Sequence, residues 1–421
     1  MLAASVCRRT LPPSLVRSFA VESVSSSSSE LPPPHQPPPP QSSKPRTRLR
    51  PHPRPAAPQQ YSQPLHLPPS FGKNQVLTVS DSTRALLEEI VSEFHAPIRY
   101  AFAYGSGVFE QDGYAVKAPG TAAQASERPM VDFMFAVSHP DHWHSINMTQ
   151  NPSHYTLHSR MLGSNYVSRV QEINPGIWFN AYVPMKGVTI KYGVTTVDNL
   201  CSDLLNWRSL YLAGRMHKPL RIIKDDARVR LTQQVNLVSA IRTALLSLPA
   251  EFSETELFER ITGMSYAGDP RMLLPAENRG KVGNIVRKQA PQFKELYHRL
   301  VTGLPGVHWS PHSSVIHQDA SPESRSALLR KLPSNLLTRV RGNYDHVQPP
   351  LDSDESAYWV RMAGSENLPQ VLSKEMINIV RYPATIQSLK GITSAGIGKS
   401  LKYSSAKMLK WWQGGKAKAS A

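Results

Sequence analysis

Ile98-Arg99-Tyr100-Ala101-Phe102-Ala103-Tyr104-Gly105-Ser106-Gly107-Val108 and Met130-Val131-Asp132-Phe133-Met134-Phe135-Ala136-Val137 decide the fold of this chain. The first is an apolar run breaking into a small-residue turn, and it predicts a strand over 98–104. The second is a short apolar run carrying one carboxylate, the pattern of a buried strand over 130–137. A Gly-Ser-Gly turn offers backbone N–H groups and a hydroxyl to a phosphate. Asp132 on a neighbouring strand can hold a divalent metal against that phosphate. This is the layout of a nucleotidyl-transfer site. A plainer reading stays open, because such turns are common and a strand Asp is often a cap or an ion-pair partner.

Outward from this pair the chain reads as one α/β domain. Leu86, Leu87, Ile90, Val91 and Phe94 fall on one side of a helix over 85–95. Ile177 to Tyr182 and Val188 to Tyr192 predict a hairpin across Met185-Lys186-Gly187. Val197 to Ala213 reads as a helix ending at Gly214, and 219–224 as a further strand. Helices over 235–248 and 254–262 open a second, mainly helical domain, the latter started by the capping-box pattern Ser253-Glu254-Thr255-Glu256.

The ends differ in kind. Residues 1–22 carry Arg8, Arg9 and Arg17 among interleaved apolar residues, with a first acid only at Glu22, the composition of a mitochondrial transit peptide. Residues 23–74 are a Pro/Ser-rich linker that buries little apolar surface and is expected to be disordered or polyproline-like. No stretch of 18 uncharged apolar residues exists, which excludes a spanning helix. Of Cys7 and Cys201, the first leaves with the presequence, so no disulfide is expected. Net charge is +17, with eight basic residues and no acid after Glu375. Charge of this kind implies an anionic partner.

His139, Asp141, His142 and His144 resemble a metal cluster, yet a structural zinc site wants four well-spaced ligands and no Cys joins them. Gly396-Ile-Gly-Lys-Ser400 imitates a phosphate-loop tail, but its first glycine is replaced by Thr393 and only 21 residues follow.

Several stretches occur together in one order. They are Phe102-Ala-Tyr-Gly-Ser-Gly-Val108, Val131-Asp-Phe-Met-Phe135, His154-Tyr-Thr156, Ile190-Lys-Tyr-Gly-Val194, Asp203-Leu-Leu-Asn-Trp207 and Leu210-Tyr-Leu-Ala-Gly-Arg215. Lys218-Pro219, Gly263-Met-Ser-Tyr-Ala-Gly-Asp-Pro-Arg-Met272, Lys281-Val-Gly-Asn-Ile-Val286 and Glu295-Leu-Tyr297 follow. In these the chain resembles the mitochondrial phosphatidate cytidylyltransferases, a family first named for translocator assembly and maintenance. The match covers roughly residues 75–300, with a weaker echo at Ile379-Val-Arg and Leu389-Lys-Gly-Ile.

The resemblance implies an α/β fold. A nucleotidyltransferase-fold mixed sheet with helices (75–228) would precede a mainly helical winged-helix-like domain (229–310), a C-terminal region (311–385) and a basic amphipathic tail (386–421). It implies transfer of CMP from CTP to phosphatidic acid with magnesium, giving CDP-diacylglycerol and pyrophosphate. It also implies a peripheral protein on the matrix face of the inner membrane, feeding cardiolipin synthesis, with no nucleic-acid partner.

Site residues follow from residue type. Gly105, Ser106 and Gly107 would hold the β- and γ-phosphates, and Asp132 the magnesium. Lys191 would neutralise phosphate, with Tyr192, Arg215 and Lys218 as further nucleotide-binding candidates. Asp269 and Arg271 are candidates for substrate phosphate. The family pattern is departed from at Gly113 to Arg128, a longer segment expected to be a surface insertion. A second metal ligand is unassigned, because position 134 is Met; Asp269 and Asp226 are candidates, each also open to a structural role.

In the tail, Ile397, Leu401, Met408 and Trp412 fall in one arc at helical spacing, with Lys399, Lys402 and Lys410 opposite. That predicts an interfacial amphipathic helix on an anionic inner-membrane lipid surface. Two other functions stay open: a nucleotidyltransferase acting on RNA, and a non-enzymatic import or assembly factor.

Overall fold

The computed structural model describes residues 67–105, 107–108, 130–273, 280–344 and 355–395. Its first part is a five-stranded mixed sheet. Helix α1 (Asp81–Ser92) precedes β1 (Tyr100–Tyr104) and β2 (Val131–Val137). Two helices follow, α2 (Pro140–Gln150) and α3 (Leu157–Glu172), then the hairpin β3 (Trp178–Met185) and β4 (Val188–Thr196). Helices α4 (Val197–Asn206) and α5 (Tyr211–Arg215) lead to β5 (Leu220–Lys224). The strand order is β3-β4-β2-β1-β5. Only the β2–β4 pair is parallel; the other neighbours are antiparallel.

The apolar runs of β1 and β2 have a direct cause. Both strands are interior and covered on both faces, so every side chain but Asp132 is kept from water. Tyr100, Phe102, Met134 and Ala136 face one core; Ala101, Ala103, Phe133 and Phe135 face the other.

Beyond β5, α6 (Ala227–Leu245) begins at Asp226, whose Oδ1 accepts from the Arg228 and Val229 N–H groups. This cap starts the helix eight residues before the one expected from hydrophobic spacing at 235. Next come β6 (Glu251–Ser253) and α7 (Glu254–Gly263). The capping box is present: Ser253 Oγ accepts from the Glu256 N–H and Glu256 accepts from the Ser253 N–H. Helices α8 (Lys281–Lys288) and α9 (Ala290–Thr302) lead to β7 (Val307–His308) and β8 (Val315–Gln318). β8 lies between β6 and β7 in a small antiparallel sheet. Helices α10 (Pro322–Leu329), α11 (Ser334–Gly342), α12 (Glu355–Ala363) and α13 (Leu368–Ala395) follow.

The sheet and the helical part share one core. Tyr100, Phe102 and Met134 belong to the same buried cluster as Phe258, Phe293 and Trp359. α13 returns to the first part of the chain, where Lys390 Nζ donates to the Gln171 and Ile173 carbonyls at 3.2 and 2.8 Å. Burial pulls the Lys390 pKa down to about 7. The tail boundary expected at 386 therefore falls inside a packed helix, and Lys390 points into the protein. The apolar stripe from Ile397 to Trp412 and its lysines lie outside the described residues, as do Ser106, the 113–128 segment and residues 1–66. Among the described residues no helix is long and apolar enough to cross a membrane.

Candidate active site

Asp132 stands opposite Tyr104 on β1 and opposite Lys191 on β4. Strand alternation sets Asp132 and Lys191 on one face of the sheet. Lys191 Nζ is 3.7 Å from Asp132 Oδ1, with the two side chains 30% and 26% exposed. So long and open a pair adds little stability and leaves the carboxylate accessible. The Lys191 ammonium sits 4.6 Å from the Phe179 ring centre. Phe179 can lie there because Gly193 opposite has no side chain; a Cβ at 193 would come within 2.6 Å of Phe179 Cε1.

The turn closes over this carboxylate. Gly105 has φ +88°, and Asp132 Oδ2 is 3.5 Å from where its Cβ would be. The Val108 N–H donates to the Gly105 carbonyl at 3.3 Å. A Cβ at Gly107 would lie 3.2 Å from the Met130 carbonyl, so the turn is held against the start of β2.

A second, cationic wall comes from α5 and the segment after α7. The Arg215 guanidinium lies 4.4 Å from the Tyr104 ring and 5.4 Å from that of Tyr211. Arg215 Nε and the Tyr104 hydroxyl are buried without a hydrogen-bond partner among the described residues. Buried groups of this kind are free to bond a ligand or a water. Lys218 Nζ donates to the Gly214 carbonyl and, at 2.8 Å, to Ser265 Oγ. Burial pushes its pKa well below the usual range, and repulsion from Arg215 and Lys281 adds to this. Lys218 and Lys281 lie 5.0 and 5.1 Å from the Tyr266 ring.

Asp269 is 5% exposed and takes a two-pronged ion pair from Arg271: Nε to Oδ1 at 3.0 Å and Nη2 to Oδ2 at 2.6 Å. Burial works to raise its pKa, but the Arg271 bonds outweigh that and hold it below the usual carboxylate value. Tyr211, Arg215, Lys218, Tyr266, Asp269 and Arg271 line a narrow cavity of about 60 Å³, with Val380 and Ala384 of α13 on its border.

The structure thus brings Gly105, Gly107, Asp132 and Lys191 together on the sheet. It brings Arg215, Lys218, Asp269 and Arg271 together around the cavity, and the Arg215–Tyr104 stack links the two groups. Tyr192 is elsewhere. It is fully buried in the opposite core, where its hydroxyl accepts from Asn147 and Asn180 at 2.9 and 2.8 Å and meets His154 Nδ1 at 2.9 Å. Its neighbour Lys191 faces the site for the same reason that Tyr192 cannot, the two-residue period of a strand. Asp226 caps α6, and its Oδ2 accepts from Arg99 Nη2 at 2.7 Å. β5 pairs Lys224 with Ala101 and Leu220 with Tyr104, so Asp226 lies at the end of the sheet away from Asp132. His144 is buried between Tyr155 and Gln171, at 2.8 Å from each, and burial lowers its pKa to about 4.

Sequence reading missed the residues that place the cations. The helix expected over 197–213 is broken at Trp207 and Leu210, both with φ +53°. Asp203 holds this break. Its Oδ1 accepts from the Ser209 and Leu210 N–H groups, and its Oδ2 from those of Leu212 and Ala213. A carboxylate in an otherwise apolar helix face was the available signal. Asp203→Asn sets an amide donor against two backbone donors and should cost about 3 kcal/mol, as buried unsatisfied groups do. Denaturant unfolding should show a lower midpoint at unchanged slope. Gly214 was read as a helix stop; a Cβ there would come within 2.4 Å of Ser265 Cβ, so this glycine also lets α5 approach the segment after α7.

A mixed α/β protein with an accessible carboxylate under a glycine turn and cations clustered nearby has an arrangement suited to polyphosphate. The family model described as mitochondrial phosphatidate cytidylyltransferase matches residues 87–410. Proteins named mitochondrial phosphatidate cytidylyltransferase are similar along most of their length. That of Xenopus laevis is 38% identical over 337 residues, 79% of this chain and 96% of its own. That of Schizosaccharomyces pombe is 37% identical over 354 residues, 80% and 86% of the two chains. That of Saccharomyces cerevisiae is 34% identical over 348 residues, 82% and 75%. The chain belongs to the mitochondrial phosphatidate cytidylyltransferase family.

Proposed function

We propose that this enzyme transfers CMP from CTP to phosphatidic acid on a nucleotidyltransferase-type sheet, with the winged-helix-like part completing the second cationic wall through Arg271. The observation that carries this is the Arg215–Tyr104 stack, which sets a half-buried cation beside the Gly105 turn and Asp132. A phosphatidate oxygen attacks the α-phosphorus of CTP, and the bond from that phosphorus to the bridging oxygen of pyrophosphate breaks. Phosphatidate is already ionised, so positioning and charge stabilisation carry the reaction. The Gly105–Gly107 backbone orients the β- and γ-phosphates. Lys191 and Arg215 neutralise charge gathering on the departing pyrophosphate. Lys218 and Arg271 hold the second anion against it.

Asp132 is the carboxylate suited to a magnesium ion, which takes one or two carboxylates beside substrate phosphates and would supply charge neutralisation there. The deciding assay combines labelled CTP, phosphatidate vesicles and magnesium. CDP-diacylglycerol should form, with ATP and GTP as poor donors; folded protein that yields none would overturn the reading. We place the enzyme on the matrix face of the inner membrane, feeding cardiolipin synthesis, with the basic residues after 395 as one lipid contact.

Lys218 adds a pH signature. Its lowered pKa means the free site loses this charge as pH rises through that value, and a bound phosphate restores it. Ligand binding should therefore take up a proton, and affinity should fall as pH rises. Calorimetry of CTP and phosphatidate binding in buffers of different ionisation enthalpy should show the uptake, and Lys218→Met should remove it.

A further inference from the structure

Large apolar side chains stand in water on one helix. Leu157, Met161 and Leu162 of α3 are 69%, 79% and 57% exposed. Leu157 and Met161 are one turn apart and share a face, with Leu162 at its border. The helix breaks directly after them at Gly163, where φ is 81° and ψ is 178°. A Cβ at Gly163 would meet nothing within 4 Å, so the backbone turn and not packing calls for glycine. The break lets the first half of α3 take its own direction.

The segment that carries this face has charge of one sign. The chain carries no acid between Asp141 and Glu172, while Arg160 and Arg169 are exposed. The face is also tied to β4, the strand that carries Lys191. His154, three residues before Leu157, meets the hydroxyl of Tyr192, the neighbour of Lys191. The far end of α3 meets α13, the helix that leads into the basic C-terminal residues: Lys390 holds the Ile173 carbonyl. Ile173 and Leu389 there are themselves 49% and 57% exposed.

We propose that the first half of α3 is a membrane-docking surface, with Leu157, Met161 and Leu162 entering the headgroup boundary of an anionic bilayer and Arg160 beside them. The proposal rests on phosphatidate being the acceptor, because that substrate is held in a bilayer and must be met at its surface. Positive charge and isolated large apolar groups are what such a surface takes up. A second copy of the chain or its own N-terminal residues are the competing occupants.

The test uses the full chain and a Met161→Glu/Leu162→Glu variant. Sedimentation with vesicles of phosphatidylcholine and phosphatidate should show binding weakened by about tenfold or more, as loss of apolar insertion predicts. KM for vesicle phosphatidate should rise in step, while turnover of a short-chain, water-soluble phosphatidate stays within about twofold. A Cys7→Ser/Met161→Cys chain carrying an environment-sensitive dye should shift to the blue on adding vesicles, since Cys201 is buried and escapes the label. Unchanged vesicle binding in the double variant, or no spectral shift, overturns the proposal. So does a change of oligomeric mass with vesicle binding intact, which assigns the face to a second copy. Equal loss on soluble and vesicle substrate also overturns it, by making the face part of the fold. If the parent chain makes no CDP-diacylglycerol from either substrate, the cytidylyl-transfer reading fails, and the sedimentation and dye results still decide the docking face.

Discussion

Arg215→Met is expected to lower kcat for CDP-diacylglycerol formation on the order of 10³-fold, the scale on which a single arginine acts at a transferring phosphoryl group. The guanidinium is fixed before substrate arrives, stacked on Tyr104 and Tyr211, with a buried Nε that finds no partner among the described residues. In the proposed reaction, charge developing as pyrophosphate departs would meet a donor needing no reorganisation. Methionine keeps much of the apolar stem, and the lost stacking costs about 1 kcal/mol, so thermal unfolding should move by only a few degrees. Arg215→Lys should recover little, because an ammonium has neither the planar fork nor the stacking face. Turnover within about threefold of the parent protein would remove Arg215 from the mechanism.

Asp132→Asn is expected to lower kcat by roughly 10²-fold or more with the fold retained. The substitution keeps the size of the side chain and removes its charge. Because the Lys191–Asp132 pair is long and half-open, its loss should leave stability almost unchanged. The defect should therefore appear in turnover and in magnesium dependence, read as a higher metal requirement in titrations at fixed CTP. Near-normal turnover with an unchanged magnesium curve would show that another carboxylate holds the metal. Asp269 and Asp226 are poorly placed for that task, since each is already engaged by an arginine, Arg271 and Arg99.

Strand pleating explains both a strength and a mistake of the sequence reading. The accessible placement of Asp132 and Lys191 was legible because a lone charged residue in an apolar strand must find an open place on one face. Tyr192 was misread for the same reason: neighbours on a strand point to opposite sides, and its ring lies in the buried aromatic core. The helix expected over 197–213 failed at Trp207 and Leu210. Their left-handed backbone is imposed by four amide bonds to the Asp203 carboxylate, which hydrophobic spacing does not report. The late start assigned to α6 reflects the same blindness to a cap, here Asp226.

By itself the sequence determined the mixed α/β character, the glycine turn and the strand carboxylate that follows it, the family, and the basic charge balance. Those follow from local composition and short spacing, which are properties of the chain before it folds. The tertiary structure decided which cations gather beside Tyr104. Arg215 reaches Tyr104 only because Asp203 ends α4 early and Gly214 lets α5 close on Ser265. Lys390, one more lysine of a basic tail in sequence, becomes a buried donor to α3 because α13 packs back on the protein. Contacts between residues tens to hundreds of positions apart depend on packing, and the chain's local pattern does not encode them.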